Sequence, residues 1–114
     1  MAINNKTFQS ILNISHKANE NITACRFVDY AGNHAADNER ALGVSDINYT
    51  AGENMSLCVL GVAIVESGGV IAKGQNVTSA ANGKARAAVG AENVLGRALD
   101  ASSGTDFIRI LLVP

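Results

Sequence analysis

The sequence predicts a mainly β domain, and three features of the chain support this prediction. Residues 55–64 are apolar in both phases of strand alternation, so this strand is expected to have no face toward solvent. Residues 107–113 form a second alternating apolar run close to the end of the chain. Between such runs, Gly and Asn recur at short intervals, which is typical of antiparallel hairpins joined by tight turns.

We place residues 55–73 at the centre of the predicted fold. The two apolar faces of this strand are interrupted at Gly61, and they consist of Met55, Leu57 and Val59 on one side and Cys58, Leu60, Val62 and Ile64 on the other. Gly68 and Gly69 follow, and glycine accepts positive φ without steric cost. The pattern therefore predicts a central hairpin that turns at Gly68 and Gly69 and returns through residues 70–72.

Length and composition indicate one modest core. A chain of 114 residues fits a single domain, and only 4% of it is aromatic, with no Trp. Much of the apolar fraction is Ala, and small side chains bury little area each. Association of subunits is therefore predicted as a second source of stability.

Charge and apolar runs disfavour two classes of partner. The formal net charge is −1 and the basic residues are scattered, so direct binding of nucleic acid is disfavoured. No apolar run approaches the roughly 20 residues that span a bilayer, and residues 1–10 lack the pattern of a secretion signal, so we expect a cytoplasmic protein with no membrane partner. Cys25 and Cys58 are isolated in predicted strands, which favours buried thiols over a disulfide.

The first 20 residues differ from the rest, and we divide the chain into an extended N-terminal arm, 1–20, and a single β domain, 21–114. Phe8, Ile11 and Leu12 have helical spacing, whereas Leu12 and Ile14 alternate as in a strand. Two interpretations stay open. The segment is either a first edge strand or a disordered tail of the domain, or an arm that becomes ordered on a partner.

Four further elements are predicted along the β domain. Residues 22–30 are rich in β-branched and aromatic side chains and predict a strand. Asn82 and Gly83 predict a hairpin turn in which both residues have positive φ. Residues 40–44 and 97–101 both begin with Arg-Ala-Leu before a turn and a longer apolar strand, which suggests either a duplication or convergent hairpins. In the last strand, Ile108, Ile110 and Leu112 are predicted to point inward.

No motif of catalysis or metal binding occurs in the sequence. A phosphate-binding loop and a Gly-x-Ser-x-Gly elbow are both lacking. His34, Asp37 and Glu39 share a loop, but their spacing matches no zinc or calcium pattern. We therefore expect no enzyme and predict no catalytic residue, cofactor or metal site. From the residues alone, an assembly protein and a small binding module are supported nearly equally.

The order of short motifs adds a resemblance to a known family. From residue 24 to 114 the chain resembles the capsid cement, or head-decoration, proteins of tailed bacteriophages, formerly a domain of unknown function. The landmarks are residues 40–44 (RALGV), 51–53 (AGE), 61–69 (GVAIVESGG), 73–77 (KGQNV), 83–85 (GKA) and 96–99 (GRAL) with the strand that follows.

The resemblance implies a small β-barrel-like or β-tulip domain of antiparallel hairpins in the virion. Such a protein is in the host cytoplasm during assembly, binds the outer surface of the expanded head and bridges subunits of the major capsid protein. Members are often homo-oligomers, with a trimer expected at threefold positions. Combined with the residue pattern, this gives the hypothesis that the arm adds a strand to a capsid subunit and buries Phe8, Ile11, Leu12 and Ile14. The alternative is a stand-alone β domain that binds a ligand or a host-surface glycan through aromatic side chains.

Overall fold

The protein is described here by a computed structural model that covers residues 2–3, 6–7 and 9–113, with side chains from residue 9 onward. The mainly β prediction is confirmed. The described strands are β1 (Ala2–Ile3), β2 (Lys6–Thr7), β3 (Gln9–Lys17), β4 (Phe27–Asp29), β5 (Ala41–Ser45), β6 (Asn54–Glu66), β7 (Gly69–Ile71), β8 (Asn76–Ser79), β9 (Ala85–Ala87), β10 (Gly96–Ala98), β11 (Ser102–Gly104) and β12 (Phe107–Leu112), with a short 3-10 helix over Ala81–Gly83.

One antiparallel sheet forms a nearly closed barrel, as the barrel-like prediction requires. Its strands follow the order β4-β5-β6-β12-β10-β8-β9, and β3 pairs with β6 beside this path. A bridge between Ser67 and Ala85 connects the end of β6 to β9 at the other end of the order. Strands β7 and β11 form a separate pair, as do β1 and β2.

The main core lies inside the barrel and is built from rows of side chains that face each other across the strands. Ala63, Ile110 and Ala98 form one such row, because each is opposite the next in the register and all three are buried. The prediction for the last strand is confirmed, since Ile108, Ile110 and Leu112 are all buried. Strand β12 pairs with β6 on one side and β10 on the other, so it has no free edge along the paired residues.

Strand β6 contributes to two cores, as its two apolar faces predict. Cys58 belongs to the barrel core, whereas Met55 and Leu57 belong to a smaller core with Ala18, Ile22 and Val28. Beyond Gly61 the inward phase changes, because Ala63 and Val65 now face the barrel core. The assignment of Val62 and Ile64 to the face of Cys58 was therefore wrong. Gly61, at φ 113, is the point where the alternation is broken.

The predicted central hairpin is not formed, and this expectation was wrong. Gly68 and Gly69 do not have positive φ, and β7 pairs with β11 rather than with β6. The partner of the second half of β6 is β12. Ser67 explains why the chain does not reverse. Its buried Oγ accepts a hydrogen bond from Asp106 N at 2.9 Å and lies 2.6 Å from Ser102 Oγ, which fixes this position against the C-terminal segment.

The strand predicted over residues 22–30 is shorter than expected, because only Phe27–Asp29 is β4. Cys25 has φ 61, which interrupts the extended run. Ile22 makes an isolated bridge to Tyr49 instead of joining a longer strand. Both cysteines are free and buried, so the thiol prediction is confirmed.

The Asn-Gly hairpin is confirmed. Strands β8 and β9 pair antiparallel up to Ser79 and Ala85, and Asn82 and Gly83 have φ 61 and 74. Gly83 is required here, since a Cβ atom would lie 2.4 Å from Phe27 O. The loop is longer than the two-residue turn that the sequence predicted, because the 3-10 helix occupies it.

Candidate interaction surface

The sequence predicted a contact segment that includes residues 8–14, and its described residues, 9–14, lie at an edge of the sheet. Strand β3 pairs with β6, from Gln9 opposite Val62 to Lys17 opposite Asn54, so the described part of the segment matches the edge-strand interpretation. Ile11 is 75% exposed and Leu12 is 49% exposed, whereas Ile14 is half-buried. Phe8 lies outside the described residues.

Two irregularities in the pairing of β3 and β6 shape this surface. The register shifts between Ser10 and Leu12 and again between Leu12 and Asn13, so Ile11 has no partner opposite it in β6. Leu12 lies opposite Leu60, which is itself only partly buried. Five apolar residues of β3 and of the stretch of β6 paired with it are exposed or partly buried, and we call them the β3 surface: Ile11, Leu12, Ile14, Leu60 and Val62.

The β3 surface lacks the charged residues and Pro that often protect an edge strand. Natural edge strands carry Lys, Pro or inward charges that prevent pairing with other chains. Residues 9–15 contain no charged residue and no Pro, and Lys17 is the first charge along β3. Within the described part of the chain, β6 is the strand that β3 pairs with, so its other edge offers backbone donors and acceptors. An exposed apolar edge with free backbone groups is suited to binding an extended segment of another protein.

A glycan site would need exposed aromatic rings, and the described aromatic residues differ in their exposure. Phe27 is buried and Phe107 is half-buried in β12. The Tyr49 hydroxyl donates to Asp46 Oδ1 at 2.7 Å, and burial raises the pKa of this phenol. Tyr30, in contrast, is 60% exposed. Among these four residues, Tyr30 is therefore the one whose ring is largely available to a partner.

The polar residues of the loop 34–39 have structural roles. His34 Nε2 accepts a hydrogen bond from Thr23 N, and His34 Nδ1 lies 3.0 Å from Glu20 Oε2. Asp37 binds Arg86, and Glu39 accepts a hydrogen bond from Ala36 N. Within the described residues, no group of three or more His, Cys, Asp or Glu side chains could hold a metal ion. Burial raises the pKa of the Cys25 thiol, which disfavours the nucleophilic thiolate.

No helix in the part of the chain that the structure describes is long and apolar enough to cross a membrane.

Arg86 holds two carboxylates, and this cluster predicts how stability depends on pH. Its guanidinium contacts Glu92 at 2.6 Å and Asp37 at 2.7 Å. The hydrogen bonds that Glu92 accepts from Arg86, and then from Val89 N, lower the pKa of Glu92 to about 2. A carboxylate with a lowered pKa stabilises the fold above its unfolded pKa of 4.5, and this contribution is lost as pH falls toward 2. We expect the melting temperature of Glu92→Gln to lie below that of wild type at pH 7 and to approach it near pH 2. A difference that stayed constant over this range would contradict the assignment.

Comparison with known proteins gives one family and a related structure. The sequence model of the phage cement proteins matches residues 6–112. The crystal structure of the N base of the head fiber protein gp8.5 from bacteriophage phi29 superposes with a TM-score of 0.76, covering 90% of this chain and 93% of that chain. The two sequences are 21% identical, so this similarity concerns the fold. No curated protein matches the sequence.

Proposed function

The chain belongs to the phage cement protein family and is a structural protein of the virion, and we propose that it binds the outer surface of the expanded head and bridges subunits of the major capsid protein. The observation that carries the binding proposal is the β3 surface. Ile11 and Leu12 are exposed on an edge strand that has no charged residue before Lys17. A folded domain that leaves such an edge uncovered gains stability when a partner covers it.

The proposed mechanism requires binding and no turnover. Packaged DNA pushes capsid subunits apart, and a protein that binds across their junction opposes this with its binding free energy. Many copies act together on one closed lattice, so a moderate affinity for each site is sufficient. In this proposal, β3 pairs with an extended capsid segment through its free edge, and Ile11, Leu12 and Ile14, together with Phe8, are buried in the contact.

We also propose that the protein is a homo-oligomer, with a trimer favoured at positions of threefold symmetry. Small side chains in the core support this proposal, because Ala35, Ala63, Ala85 and Ala98 fill positions where larger residues would bury more area. Light scattering on the purified protein measures the mass directly. A discrete trimer is the expected result, and a monomer at all concentrations would contradict this part of the proposal.

Two aspartate substitutions test the capsid contact. We expect Ile11→Asp and Leu12→Asp each to weaken binding to expanded heads by at least about tenfold, because each places a charge in an apolar contact. Co-sedimentation of purified protein with expanded and unexpanded heads of its phage measures the effect. Both side chains are exposed, so the fold is expected to tolerate the changes, and circular dichroism checks this.

The matched control is Val89→Asp, at an equally exposed valine outside the β3 surface. This variant is expected to bind expanded heads as wild type does. If all three variants bind equally well, the β3 surface is not the contact. If wild type itself binds neither kind of head, the capsid proposal is overturned, and screening of glycans and small ligands becomes the next experiment.

A further inference from the structure

Tyr30 stands between two neighbouring depressions of the surface, and it lines both. The first depression is bordered by His16, Lys17 and Asn19, and the second, of about 200 Å³, by Arg40 and Asn93. The second also has apolar walls, formed by Leu42, Val94 and Leu95. We call the two depressions together the Tyr30 cleft. Its described lining contains a cation on each side of the ring and no acidic side chain.

The acidic groups of this protein are mostly paired, whereas the two cations of the cleft are not. Every acidic side chain except Asp106 accepts an intramolecular hydrogen bond. Four basic residues form ion pairs with these acidic side chains, namely Arg26, Lys84, Arg86 and Arg109. Lys17 and Arg40 have no ion-pair partner within the described residues, and the same holds for Lys73 and Arg97, which lie outside the cleft. The free charge of the cleft is therefore positive, although the formal net charge of the chain is −1.

We propose that the Tyr30 cleft binds an acidic segment of the major capsid protein, with carboxylates at Lys17 and Arg40 and an apolar side chain against Tyr30 and Leu42. Charge complementarity selects this partner, because an unpaired guanidinium and ammonium favour carboxylates and reject basic surfaces. The exposed ring offers a large contact area at low entropic cost, which is typical of residues that dominate interfaces. The inference rests on the proposed function, because it takes the capsid as the partner.

The position of the cleft explains how one small domain can bridge two subunits. Bridging requires two separate binding surfaces on the same protein. Lys17 lies five residues along β3 from Leu12, so the cleft and the exposed part of the β3 surface are separated by roughly 16 Å. The β3 surface is apolar and open along a strand edge, whereas the Tyr30 cleft is cationic and concave. The two surfaces therefore suit different segments of the capsid lattice.

Charge reversal at the cleft tests the inference. We expect Lys17→Glu and Arg40→Glu each to weaken binding to expanded heads by about tenfold, and the double variant by roughly 100-fold, with a smaller dependence on NaCl concentration. Lys73→Glu is the matched control, because Lys73 is also exposed and has no ion-pair partner among the described residues but lies outside the cleft. Its affinity is expected to equal that of wild type.

A second measurement identifies the contact directly. Carbodiimide treatment of decorated heads joins an amine to a carboxylate only where the two touch, and mass spectrometry then locates the linked residues. We expect Lys17 to be linked to an Asp or Glu of the major capsid protein, and this product to be lost in a Tyr30→Ala variant that still binds heads through β3. If the Lys17 and Arg40 variants bind as Lys73→Glu does, the inference is overturned while the proposed function stands. If wild type binds no heads, both are overturned.

Discussion

A Gly61→Ala variant is expected to lose about 3 kcal/mol of stability, and the loss should be concentrated at the N-terminal strand. Gly61 has φ 113, a conformation that side chains rarely adopt. An added Cβ would also lie 2.4 Å from Gln9 O and 2.7 Å from Ile11 N. Because both neighbours are backbone atoms, no rotamer change can relieve the contact, and β3 must move away from β6.

Urea unfolding and amide hydrogen exchange measure this prediction. The unfolding midpoint should fall, and the amides of β3 should lose protection while those of β12 keep it. Gly69→Ala is the matched control, since a Cβ there meets nothing within 4 Å and its φ is not positive. The control should lie within about 0.5 kcal/mol of wild type. Unchanged protection of β3 in Gly61→Ala would contradict the described pairing of β3 with β6.

Elements whose pairing depends on neighbouring residues could be predicted from the sequence. The Asn82-Gly83 turn was found because positive φ at both positions is a local requirement. The inward set of β12 followed from strict alternation over residues 107–112. The barrel-like shape came from the family resemblance, since no pattern in a single strand specifies how a sheet closes.

The other parts of the fold depend on contacts between residues far apart in the sequence, and these contacts could not be predicted. Gly68 and Gly69 looked like a turn, but the buried hydroxyl of Ser67 binds the segment around Asp106, some 39 residues away. A local pattern carries no information about such a partner. The Tyr30 cleft was missed for the same reason, because its lining residues come from separate segments that meet only in the folded chain. The β3 surface was predicted in part, because the sequence identified apolar residues of β3 but not β6 as the strand with which β3 pairs.

An ion-pair network that the sequence did not reveal joins the two ends of the barrel sheet. Glu66, at the end of β6, binds Arg26 Nη2 at 2.9 Å and Lys84 Nζ at 3.7 Å. Arg26 directly precedes β4 and Lys84 directly precedes β9, and these are the two terminal strands of the sheet order. Arg26 also donates to Asn82 O at 3.0 Å. The network therefore connects the ends of the sheet where regular pairing stops.

Removing the Glu66 carboxylate alone is expected to destabilise the fold far more than removing Glu66 and Arg26 together. The side chains of Arg26 and Glu66 are only 15% and 17% exposed, so Glu66→Leu leaves a poorly solvated guanidinium without its anion. We expect this variant to lose about 3 kcal/mol in urea unfolding, and the double variant Arg26→Leu, Glu66→Leu to recover most of the loss, because apolar residues of similar size fill the same space without an unpaired charge. Glu53→Leu, at an exposed glutamate, is the control and should cost less than about 1 kcal/mol. Equal destabilisation of the single and double variants would show that packing, and not charge, closes the barrel at this point.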